Sequence, residues 1–80
     1  MPTSYQIINN VVQNKITILK EEARFLTEQN ATLLLHYTKR TIDKSMKRII
    51  AENPDYEISY QCEINAVILH IRPKTHNKEK

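Results

Sequence analysis

Between Tyr56 and Ile64 apolar residues fall at every second position: Tyr56, Ile58, Tyr60, Cys62 and Ile64, with Glu57, Ser59, Gln61 and Glu63 between them. That is the period of a strand with one buried face. After Asn65-Ala66 the phase moves by one residue, and Val67, Leu69 and Ile71 become the apolar set. A two-residue turn at Asn65-Ala66 accounts for the change. It predicts a hairpin with Ile64 opposite Val67, Cys62 opposite Leu69, Tyr60 opposite Ile71 and Ile58 opposite Pro73. The polar face then pairs Glu63 with Ile68, Gln61 with His70, Ser59 with Arg72 and Glu57 with Lys74. A slip of one residue would turn one apolar set toward water. Asn suits the first position of a type I′ turn, but Ala stands where Gly is usual. A bulged loop of three or four residues is therefore the competing geometry.

Upstream the period changes to steps of three and four. Tyr5, Ile8, Val12, Ile16, Leu19, Ala23 and Leu26 predict a helix over 4–28, with Thr3 or Ser4 as its N-cap. A second helix is predicted over 31–52, where Leu35, Ile42, Met46 and Ile49 form one stripe. Asn53-Pro54 stops it, because the residue before proline is pushed out of the helical region. Asn30 separates the two helices as a cap. A single helix running to residue 52, with Asn30 on a coiled-coil seam, fits the same spacing. The expected fold is α+β in the order helix, helix, strand, strand: one small domain over 1–73 and a basic, disordered tail over 74–80.

A lone hairpin is marginal in water, and a chain of 80 residues buries a limited core. Ile68 also stands out as apolar on the polar face. These features predict a homodimer in which two hairpins share a four-stranded antiparallel sheet, with Ile68, Val67 and Leu69 at the interface. The open strand edge offers another use, capture of a protein segment by strand addition.

Composition narrows the function classes. The chain has no glycine, so Gly-rich phosphate loops and nucleophile elbows in their usual form are excluded. The one cysteine, Cys62, lies on the apolar strand face and reads as a small buried hydrophobe. His36, His70 and His76 have no metal-ligand spacing with one another or with Cys62, so no metal or cofactor is expected. Glu57 and Glu63 lie about 20 Å apart along a strand, too far for paired acid–base work on one bond. A non-enzymatic module is expected. The N-terminal stretch lacks a secretion signal and no segment has membrane-spanning length, which points to a cytoplasmic, nuclear or viral protein.

The net charge is +3, and the cations are unevenly placed. Lys39, Arg40, Lys44, Lys47 and Arg48 crowd into ten positions of the second helix, with Asp43 as the acid among them. Arg40, Lys44, Lys47 and Arg48 fall within about 100° of arc opposite the apolar stripe, with Lys39 at its flank, and Tyr37 shares the sector. Such a row can follow a phosphate backbone, and a tyrosine beside it can stack on a base. Arg72 and Lys74, continued by Lys78 and Lys80, would add a basic arm. Nucleic-acid phosphates are the expected partner, with an acidic protein surface as the competing one. A merely solvated helix face would have much the same composition.

Overall fold

The computed structural model describes residues 3–74. It contains two helices and three strands: α1 (Ser4–Glu21), β1 (Gln29–Leu34), α2 (Lys39–Glu52), β2 (Tyr56–Glu63) and β3 (Ala66–Pro73). The class is α+β. Of the tail expected at 74–80, all but Lys74 lies outside the described residues.

α1 begins at a capping box. The Thr3 hydroxyl accepts from the Gln6 backbone N–H at 3.1 Å, and the Gln6 side chain accepts from the Thr3 N–H at 2.9 Å. Ser4, Ile8, Val12, Ile16 and Leu19 face the core. The helix ends seven residues earlier than the periodicity predicts, since only Ala23 and Leu26 carried the pattern beyond Leu19. The Glu22 carbonyl instead accepts N–H groups from both Phe25 and Leu26, each at 2.9 Å, which turns the chain back toward the sheet.

The largest correction concerns 29–38. The predicted second helix begins at residue 31, yet Gln29–Leu34 forms β1 and residues 35–38 connect it to α2, so neither a helix over 31–52 nor one unbroken helix exists. Ala31, Leu33 and Leu35 alternate with exposed Thr32, Leu34 and His36, so a strand period is present in the sequence. Leu35 also completes a helical stripe with Ile42, Met46 and Ile49, and this shared residue hides the boundary. The signal that separates them is Thr38, the N-cap of α2, whose hydroxyl accepts from the Thr41 N–H at 3.2 Å. α2 does end at Asn53, as expected. The Asn53 side chain donates to the Ile49 carbonyl at 2.7 Å and accepts from Gln13 of α1 at 3.1 Å.

The sheet order is β1-β3-β2, with both outer strands antiparallel to β3. β1 and β2 therefore run parallel to each other, and α2 is the crossover between them. The element order is helix, strand, helix, strand, strand rather than two helices before a hairpin, and three strands replace the expected shared four. β1 occupies the edge of β3 that the sequence left open. It also accounts for Ile68, which sits half-buried on the central strand between Thr32 and Gln61. Val67 and Leu69 are fully buried against the helices, so neither is available to a second subunit in this fold.

The hairpin exists, but its register differs by two residues. Cys62 pairs with Val67, Tyr60 with Leu69, Ile58 with Ile71 and Tyr56 with Pro73; on the other face Glu63 meets Ala66, Gln61 meets Ile68, Ser59 meets His70 and Glu57 meets Arg72. The turn is Ile64-Asn65, and Asn65 alone takes a positive φ, at 60°. A type I′ turn needs positive φ at both central residues, which a β-branched Ile resists. The Asn65 carbonyl then accepts from the Leu35 N–H at 3.1 Å, tying the turn to the end of β1.

Both helices lie on one sheet face. Leu33 of β1, Ile58 of β2 and Val67, Leu69 and Ile71 of β3 meet the α1 residues named above and Ile42, Met46 and Ile49 of α2 in one core. Cutting Leu69 or Ile71 back to Ala there costs about 2–5 kcal/mol. The opposite sheet face is open, with a row of Asn30, His70 and Ser59 across it.

Candidate functional site

α2 turns Ile42, Ser45, Met46 and Ile49 inward. At about 100° per residue, Arg40, Lys44 and Lys47 then fall within about 60° of arc directly opposite, on the crest of the helix. All three are exposed, and among the described residues none makes an ion pair. α2 holds five cations and two carboxylates, so its balance equals the net charge of +3 of the whole chain. The remaining charges cancel. The basic character of the protein therefore resides in this one helix.

The other two cations of α2 stand on its flanks and are engaged. Arg48 faces α1: its guanidinium lies 3.8 Å over the Tyr5 ring and its Nε donates to Glu52 at 3.2 Å. The Tyr5 hydroxyl donates to the same carboxylate. Glu52 is held below the usual carboxylate range, first by the Tyr5 hydrogen bond and then by Arg48, while the Tyr5 phenol is raised by Glu52. Nearby, the Ser4 and Ser45 hydroxyls share a buried hydrogen bond of 2.6 Å between the helices. Arg48 is thus part of the α1–α2 seam.

On the opposite flank Lys39 donates to Asp43 at 2.9 Å, and Tyr60 of β2 donates to the other oxygen of Asp43 at 2.6 Å. The Tyr60 bond, followed by that of Lys39, holds Asp43 below the usual carboxylate range. In return, the Tyr60 phenol is pushed up to about 12, chiefly by the hydrogen bond to Asp43 with burial adding to it. Lys39 is raised by the same carboxylate.

Of the other sequence candidates, all but Tyr37 lie apart from the crest. Tyr37 stands partly exposed in the loop just before α2. Arg72 is bound through Nε to Glu57 at 2.6 Å across the β2–β3 pair. Arg72 and Lys74 line a depression of about 550 Å³ at the end of the sheet, together with Glu28, Ile50, Glu57 and His70. This depression carries both signs of charge and is separate from the helix crest. His70 donates from Nδ1 to Asn30 at 2.7 Å, and Ser59 is its cross-strand neighbour. No hydrogen bond joins the Ser59 hydroxyl to the imidazole among the described residues. No group of three His, Cys, Asp or Glu side chains there could hold a metal ion, and no described helix is long and apolar enough to cross a membrane. Cys62 is free and half-buried.

Sequence reasoning grouped Arg48 with the crest and set Lys39 at its flank, counted both among the phosphate contacts, and missed their partners. Asp43 and Glu52 each lie four residues beyond their cation, the spacing of helical ion pairs, and that signal was readable. The contributions of Tyr5 and Tyr60 come from other elements and were not. No protein-family model, curated protein or solved structure matches the chain.

Proposed function

We propose that this protein is a small non-enzymatic binding module that holds the phosphate backbone of a nucleic acid against the crest of α2. The observation that carries the reading is that, among the described residues, Arg40, Lys44 and Lys47 have no carboxylate partner, on a helix that holds the whole net charge. Cations without a local carboxylate remain free to displace counterions from a polyanion. Lys39 and Arg48 strengthen the field, but their first task is to fasten α2 to its neighbours. The test is electrophoretic retardation of a nucleic-acid fragment across a salt series. Three phosphate contacts on a duplex give a slope of log affinity against log salt near −2.7, or near −2.1 on a single strand. A wild-type protein that leaves the fragment unretarded at about 50 mM salt overturns the reading.

Self-association is also proposed, in a form altered by the sheet topology. β2 remains an edge strand of eight residues with no internal proline, and Glu57 and Glu63 are its only charged residues. Antiparallel pairing of two β2 edges would join two three-stranded sheets and set two α2 crests side by side. Light scattering at micromolar concentration should report twice the 9.5 kDa chain mass, whereas a monomer there removes the paired edge. In that event the edge remains open to a protein segment, as an adaptor would use it.

A further inference from the structure

The polyanion reading leaves open whether one strand or two is held, and the placement of the aromatic residues decides between them. Proteins that grip single strands combine a basic groove with exposed aromatic rings on which successive bases stack. The chain has four tyrosines and one phenylalanine, all among the described residues. The Tyr5 ring lies under Arg48. Tyr56 is half-buried against the core, and Tyr60 is half-buried with its hydroxyl committed to Asp43. Phe25 is exposed, but it stands in the loop that leads from α1 to β1, whereas α2 packs over β2 at the opposite edge of the sheet. Only Tyr37 remains beside the crest. The open sheet face offers no substitute: besides Glu57, Glu63, Asn30 and Thr32 it presents one ring, the His70 imidazole, which is hydrogen-bonded to Asn30 and stands apart from the crest.

The crest itself suits a rigid partner. Arg40, Lys44 and Lys47 rise about 6 and 4.5 Å in turn along one straight element. A duplex presents its phosphates in a fixed array, so no ordering cost is added on binding. A single strand must be ordered, and without a stacking platform only the charge term offsets that cost. Resting on the phosphate-binding reading above, we infer that the ligand class of the α2 crest is double-stranded nucleic acid, contacted through its backbone.

The experiment compares retardation of a mixed-sequence DNA duplex of about 25 base pairs with that of one of its separated strands, at about 50 mM salt. The duplex is expected to bind about tenfold more tightly, and Tyr37→Ala is expected to leave its affinity within about twofold. If the single strand binds as tightly as the duplex and R40E/K44E/K47E abolishes both, the crest is a phosphate site but the duplex inference is overturned. A tenfold loss on the single strand from Tyr37→Ala, with equal wild-type affinities, overturns it in the same way and identifies stacking. Retardation of neither probe overturns the phosphate-binding reading along with it.

Discussion

On the crest of α2, Arg40, Lys44 and Lys47 reach solvent with no carboxylate partner among the described residues, whereas on its flanks Lys39 and Arg48 are each held by an acid four residues on. The five side chains come from the same two residue types and the same short stretch, yet they serve different ends. Arg48 lies over Tyr5 and fastens α2 to α1. Lys39 shares Asp43 with Tyr60, which fastens α2 to β2. A basic helix face is therefore three strips rather than one, and only the middle strip is unengaged. Surface ion pairs of this kind add little stability singly. What sets these apart is that each recruits a tyrosine from another element.

The largest effect should come from reversing charge on the two kinds of strip separately. R40E/K44E/K47E should abolish retardation of a duplex while leaving the circular dichroism signal unchanged and the melting temperature within a few degrees. Arg48→Glu should do the opposite. It removes the cation from the Tyr5 ring and sets a second carboxylate beside Glu52, so the melting temperature should fall on the order of 5 °C. Binding at temperatures where the variant is folded should weaken only modestly. If Arg48→Glu leaves the melting temperature unchanged and abolishes binding, Arg48 belongs to the crest and the division fails.

This division was only partly legible in the sequence. Alternation correctly assigned Ile58, Tyr60 and Cys62 to one face with Val67 and Leu69, because a register error of two residues preserves every face. For the same reason alternation cannot choose between registers two apart. Turn chemistry makes that choice, and the preference of Asn65 for positive φ located the turn to within one residue. β1 was lost because Leu35 satisfies both a strand period and a helical one, with no glycine or proline to mark the change. The crest survived that error, since Thr38 starts the helix before any of its cations. The topology did not survive, because only the pairing of β1 with β3 shows that α2 is a crossover.

A smaller effect should appear in the alkaline stability of the Tyr60 flank. The Tyr60 phenol titrates at about 12 in the folded protein, against an ordinary value of 10.0. A raised acid stabilises the fold in full below the unfolded value and loses that contribution as pH rises through the folded one. Melting temperature should therefore fall between about pH 10 and pH 12, and Tyr60→Phe should flatten that part of the profile. Asp43 contributes in the opposite direction. Its depressed carboxyl stabilises above the usual carboxylate range and loses its contribution as pH falls through the folded value. An alkaline limb of the same size in Tyr60→Phe would mean that the hydrogen bond to Asp43 is not what fastens this flank.

The smallest effect should come from Asp43→Asn, which tests whether a flank can be converted into crest. The amide oxygen can still accept from Tyr60, so the tie to β2 is kept, but Lys39 loses its counter-charge. Affinity for a duplex at low salt should rise about two- to threefold. If the released Lys39 reaches a phosphate, the salt slope should steepen by up to about 0.9. Higher affinity with an unchanged slope would place Lys39 within the field of the polyanion but out of contact, so that the surface stays three residues wide. Weaker binding, with the melting temperature preserved, would mean that the Lys39–Asp43 pair holds the first turn of α2 in the orientation Arg40 needs, and the flank would then belong to the binding surface after all.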